Sequence, residues 1–137
     1  IDLKGKVIVT TMIFTSCKTA CPRLTAEMKK IAKEVGNVDP DNIEYLLISI
    51  DPKTDTPEVM KAYLKTHQLD EKEWMFIRSN ENDTREIANI MAVKYKEISP
   101  IEFSHSNMCI QKKVHWLTRK KALITIFNAL QKKLKSN

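Results

Sequence analysis

Residues 7–25 read VIVTTMIFTSCKTACPRLT, and this stretch decides the fold. Residues 7–14 are β-branched and apolar with little alternation, the pattern of a strand buried on both faces. Cys17 and Cys21 follow, and then Pro22, which suits a first helical turn. Leu24, Met28, Ile31, Ala32 and Val35 recur at helical spacing, and Gly36 supplies a stop. The cysteine pair therefore sits where a strand hands over to a helix. There it could act as a structural staple, a redox couple or a soft-metal clamp.

Working outward, residues 43–50 (IEYLLISI) form a second apolar strand. The segment DPKTDTPEV then gives a loop and a helix start, with Thr56 as N-cap and Pro57 as first residue. Val59, Tyr63 and Leu64 are expected on that helix's inner face. Residues 74–77 read as a short strand. Asn82 or Asp83 is expected to cap a helix carrying Ile87, Ile90 and Met91, and residues 95–98 are extended. Residues 108–110 and 114–117 read as the two strands of a hairpin. Leu123, Ile126, Phe127, Leu130 and Leu134 line a final helix. The alternation predicts an α/β fold, a central mixed and mainly parallel sheet flanked by helices on both faces. With a cysteine pair after the first strand, this is the thioredoxin-like arrangement.

A chain of 137 residues, 42% hydrophobic and 29% charged, fits one domain over residues 1–137. No apolar run approaches the ~20 residues of a membrane span. No signal peptide is visible, so any leader or anchor is expected to have been removed. The net charge of +6 comes from lysines dispersed along the chain, densest at Lys132, Lys133 and Lys135 at the end of the final helix, without aromatic interleaving, which argues against nucleic-acid binding. The hairpin segment MCIQKKVHW has none of the turn residues that tight hairpins demand. The chain has two glycines, Gly5 and Gly36. A few residues are accordingly expected to be missing near 111–113 and 118–121.

Three cysteines exclude a fully paired disulfide scaffold. Four helical residues rise about 6 Å, which leaves Cys17 and Cys21 near the upper limit for a disulfide. Helix N-terminal amides stabilise thiolates, the nucleophiles of disulfide exchange and the preferred ligands of Cu(I) and Zn. A metal would need a further ligand. His67 falls near the end of the second helix and reads as a surface residue. His115, between Val114 and Trp116, reads as structural. His105, in the loop EFSHSN, is expected to face the cysteine turn in a thioredoxin-like fold. Cys109 alternates with Met108 and Ile110 and reads as a buried strand thiol.

Three segments carry a resemblance: GKVIVTTMIFTSCKTACPRLT, LLISIDPKTDTPEVMKAY and FSHSN. They resemble, in order, the Cys-x-x-x-Cys-Pro, Ser-x-Asp-Pro-x-x-Asp-Thr-Pro and His-Ser segments of the SCO/SenC family of copper-binding, thioredoxin-like proteins. The resemblance spans residues 5–107. It implies copper as cargo and a role in assembling the binuclear copper centre of cytochrome c oxidase. Cys17 and Cys21 match the family's two cysteine ligands and His105 its histidine ligand. Asp51 matches the acidic residue of the second segment and is expected to support the site from behind, since a carboxylate is a poor ligand for Cu(I). Asp55 and Thr56 are expected to organise the turn and cap. The strand-rich segment that usually precedes the first motif is absent, and the hairpin is shorter than the family's.

Two function classes follow. One is a metallochaperone that binds copper and hands it to the copper-bearing subunit of cytochrome c oxidase or another copper protein. The other is a thiol-disulfide reductase in which Cys17 and Cys21 form the catalytic redox pair. A peroxiredoxin-like scaffold is a weaker third, since FTSCKTACP matches a peroxidatic site only loosely. A monomer is expected. The location expected is the cell envelope, formerly attached to a membrane anchor, or the mitochondrial intermembrane space.

Overall fold

The computed structural model describes residues 7–35, 43–99 and 102–105. The expected hairpin, the final helix, Cys109 and His115 lie outside the described residues. Strand β1 (Val7–Ile13) leads into helix α1 (Ala20–Val35), then β2 (Ile43–Ser49), α2 (Pro57–Thr66) and β3 (Trp74–Ile77). Helix α3 (Glu81–Ile90) and strands β4 (Tyr95–Ser99) and β5 (Glu102–His105) follow.

The apolar runs of β1 and β2 pair in parallel, from Val7 against Ile43 to Ile13 against Ser49. β3 joins the far side of β2, Tyr45 against Trp74 and Ile48 against Ile77, so the strand order is β1-β2-β3. Parallel strands with helical crossovers bury both faces, which is why β2 shows no alternation. Met12, Ile13, Leu46, Leu47 and Ile48 are fully buried, and Met28 of α1 packs into the same core. Among the described residues the antiparallel part is a separate ribbon. β4 and β5 pair with each other, with a bulge between Glu97 and Ser99.

Some local expectations are corrected. The inner face of α2 is Met60, Tyr63 and Leu64. Val59 is 38% exposed, because it sits one helical step off that stripe. Asn80, not Asn82 or Asp83, caps α3, accepting a hydrogen bond from Asp83 N at 2.9 Å. Thr56 does cap α2, with Val59 N at 3.4 Å from its hydroxyl, and Pro57 follows in the first turn. His105 is not in a loop: its backbone ends β5, paired with Tyr95.

Candidate metal and redox centre

All three parallel strands end on the same edge of the sheet, and the loops that leave that edge carry the polar residues. The loop after β1 is tight. Cys17 N donates to the Phe14 carbonyl at 3.2 Å, and α1 begins three residues later. Phe14 is buried and meets Phe103 of β5, ring centroids 5.1 Å apart. The ribbon that ends in His105 is thus anchored beside the cysteine loop, two residues short of the histidine.

Cys17 is half-buried and Cys21 has no exposed surface, and both are free thiols. Cys21 lies inside the first turn of α1, and its N–H donates to the Cys17 sulfur at 3.4 Å. The two thiols are driven apart electrostatically. Burial pushes Cys17 up, but hydrogen bonds from the Cys21, Thr19 and Ala20 backbone and from the Cys21 thiol outweigh it, leaving its pKa below the ordinary 9.0. Burial pushes the Cys21 thiol far above that value, and the neighbouring Cys17 and Asp55 charges add to the rise. Cys17 is therefore the more easily ionised of the two and Cys21 the proton-holding thiol.

Beneath α1, the Thr25 hydroxyl bonds the Cys21 carbonyl at 2.9 Å and the Tyr63 hydroxyl at 2.7 Å. Burial pushes the Tyr63 pKa up to about 12, so the phenol stays neutral. This chain ties the start of α1 to α2. His67 caps the end of α2, tilted over the Tyr63 ring at 4.2 Å, and its carbonyl accepts from Lys29 Nζ at 3.2 Å. It is half-buried rather than a free surface residue.

The second loop holds two buried aspartates. Asp51 is 4% exposed. Its Oδ1 accepts from Thr54 N at 3.3 Å, and its own N–H donates to Ser49 Oγ at 3.0 Å. Oδ2 of Asp51 meets no hydrogen-bond partner among the described residues. Asp55 is buried completely, and this is the residue that sequence reasoning underrated. Its Oδ2 takes the Ser49 hydroxyl, and its Oδ1 takes both the hydroxyl and the N–H of Thr15, in the cysteine loop. Burial pushes its carboxyl up, the Ser49 and Thr15 hydrogen bonds oppose this, and the net direction is upward. The signal was present: Ser49 is a hydroxyl directly after the buried apolar run Leu46, Leu47 and Ile48, six residues before a carboxylate.

Cys17 and Cys21 are thus brought together as expected. Among the described residues no group of three His, Cys, Asp and Glu side chains converges as a metal cage. Of His105 the structure describes the backbone.

Comparison with known proteins gives a consistent answer. A family model described as SCO1/SenC matches residues 1–132. A SCO1 protein homolog from Bacillus subtilis is 33% identical over 78 residues, which is 56% of this chain and 39% of the relative. A SCO1/SenC family lipoprotein from Bacillus anthracis superposes with a TM-score of 0.68 at 28% identity, covering 77% of this chain and 63% of that one. Bradyrhizobium japonicum ScoI, solved with copper bound, superposes with a TM-score of 0.64 at 25% identity, covering 76% of this chain and 66% of that one. These likenesses show the thioredoxin-like α/β fold. The chain spans less than half the length of the curated relative.

Proposed function

The chain belongs to the SCO1/SenC family, and from that premise we propose that it is a copper metallochaperone that takes copper on Cys17, Cys21 and His105. It hands the metal to a copper protein, the copper-bearing subunit of cytochrome c oxidase in the family's usual role. The observation that carries this reading is the free dithiol at the start of α1, with the Cys21 N–H on the Cys17 sulfur at 3.4 Å. Two thiolates and an imidazole are the soft and borderline donors that Cu(I) prefers. The copper-bound relative from Bradyrhizobium japonicum supports the choice of metal.

The chain's own residues set the order of events. Cys17 is the first thiol to reach the metal, being the less buried and the more easily ionised. Cys21 must release its proton as it binds, so loading is coupled to proton release and weakens in acid. The Phe14–Phe103 contact anchors the β4–β5 ribbon beside the cysteine loop, which supports His105 as the choice of third donor. Asp51 supports the site from behind. Oxidation of the pair to a disulfide removes two ligands together and gates the metal.

The reductase reading keeps one specific observation in its favour. A half-exposed, more easily ionised thiol next to a buried thiol that holds its proton is the division of labour that disulfide exchange uses. The location proposed is the outer face of a cell membrane or the mitochondrial intermembrane space, as a lipoprotein relative supports. No helix among the described residues is long and apolar enough to cross a membrane.

The test is Cu(I) binding to the reduced protein in competition with a chromophoric chelator. One copper per chain is expected, abolished by Cys17→Ser or Cys21→Ser and weakened by His105→Ala. Unchanged affinity in Cys21→Ser excludes the ligand set. Turnover of a disulfide substrate with no copper retained makes the protein a reductase instead.

A further inference from the structure

We propose that Asp55 is the positioning residue of the dithiol: its carboxylate, held between Thr15 and Ser49, fixes the Cys17 loop against the end of β2 and so sets how the two sulfurs face a common partner. This deepens the copper reading and also stands apart from it, because a disulfide needs the same alignment.

The argument starts from an apparent excess. Beginning α2 needs a cap, and Thr56 already provides it through Val59 N. A carboxylate with no exposed surface is not needed for that turn and is costly to bury unless hydrogen-bonded. Asp55 turns away from its own helix instead. Both of its oxygens are spent on partners outside α2, on Ser49 at the end of β2 and on Thr15, 40 residues back in the chain. Thr15 gives two donors, one from the backbone and one from the side chain, which fixes the backbone of the loop as well as a rotamer.

The rest of the loop is restrained locally, by Cys17 N on the Phe14 carbonyl and by Cys21 N on the Cys17 sulfur. Neither bond relates the loop to the neighbouring strand. The aspartate does. It is braced in turn, since Asp55 N donates to the Asp51 carbonyl at 3.0 Å and Arg78 Nη1 reaches the Pro52 and Asp55 carbonyls at 3.2 and 3.4 Å. Arg78 follows β3, so groups from the ends of all three parallel strands converge on this one residue, Thr15 and Ser49 on its carboxylate and Arg78 on its backbone carbonyl.

The readout is the equilibrium of the reduced, metal-free protein with glutathione disulfide. In that exchange Cys17 and Cys21 give up two electrons and two protons. One sulfur–sulfur bond forms in the protein, one breaks in glutathione disulfide, and two glutathione thiols are released. Asp55→Ala should lower the equilibrium constant for forming the Cys17–Cys21 disulfide about tenfold, the scale on which a buried hydrogen bond acts. Asp55→Asn, which keeps an acceptor for Thr15, should stay within about threefold of the original protein. Should Asp55→Ala fail to fold, Thr15→Val, which removes the hydroxyl and leaves the N–H, takes its place with the same direction. The proposal is overturned if a folded Asp55→Ala or Thr15→Val protein matches the original. It is also overturned if Asp55→Asn loses as much as Asp55→Ala, since charge rather than hydrogen bonding would then set the equilibrium. Cu(I) competition run on the same variants should weaken in parallel. If the original protein binds no Cu(I), the copper reading fails while the glutathione equilibrium still decides the role of Asp55.

Discussion

Cys17 and Cys21 are one side-chain type in two environments, and the difference is measurable. The Cys21 thiol holds its proton in the folded state far above the ordinary 9.0. The unfolded chain releases that proton near 9, so Cys21 contributes stability that is full below this pH and lost above it. In the reduced protein, stability relative to Cys21→Ala should therefore fall as pH rises past 9, by up to about 1.4 kcal/mol per unit. Denaturant titrations of both proteins at a series of alkaline pH values check this, and a flat difference would show Cys21 ionising freely. The cysteine pair was legible in the sequence; its inequality was harder to see. The inner stripe of α1 was read from Leu24 onward, yet Cys21, Thr25 and Met28 share that stripe and are all fully buried. Extending the same periodicity one turn back places Cys21 inside. The role of Asp55 was hidden because its partner Thr15 lies 40 residues away, and no local pattern reports such a pair.

The elements themselves were legible wherever a residue had one chemical option. Thr56 followed by Pro57 is such a case. Thr56→Ala should cost about 1 kcal/mol in urea unfolding by removing the acceptor for Val59 N. The start of α3 was ambiguous because Asn80, Asn82 and Asp83 are all competent caps, and the reciprocal pair Asn80 with Asp83 decides it. Scarcity of glycine hid the helix ends. α2 and α3 stop on Gln68 at φ 54° and Ala92 at φ 56°, where glycine would be the unstrained choice. The hydrogen bonds of such a stop are present, Leu69 N to Leu64 O and Val93 N to Ala88 O. Ala92→Gly should accordingly stabilise the protein by about 0.5–1 kcal/mol. A loss of stability there would show that the left-handed turn is held by something other than backbone preference. β5 escaped because its four residues, EFSH, carry no strand signal of their own and pair only through β4.

At the scale of the molecule, three parallel strands present the dithiol, the two aspartates and Arg78 along one edge, while His105 arrives on a separate ribbon. Copper binding by the proposed ligand set joins these two bodies. One equivalent of Cu(I) should slow amide hydrogen exchange in Glu102–His105 and in its partner Tyr95–Ser99, with little change in β1 and β2. Equal exchange with and without metal would mean that the ribbon takes no part. The order of the strands has a further meaning in time. Each parallel strand pairs with the one made before it, and the groups that converge on Asp55 are all complete once Arg78 has been made. Chains fold from the N-terminus as they emerge. The parallel sheet and its bonds to Asp55 can therefore form as soon as Arg78 has emerged, ahead of the ribbon that pairs His105 with Tyr95. A growing chain at that stage carries the dithiol without the Phe103 ribbon beside it, so pulse-labelling of nascent chains with a thiol-specific reagent should modify Cys17 more readily at that length than in the finished protein.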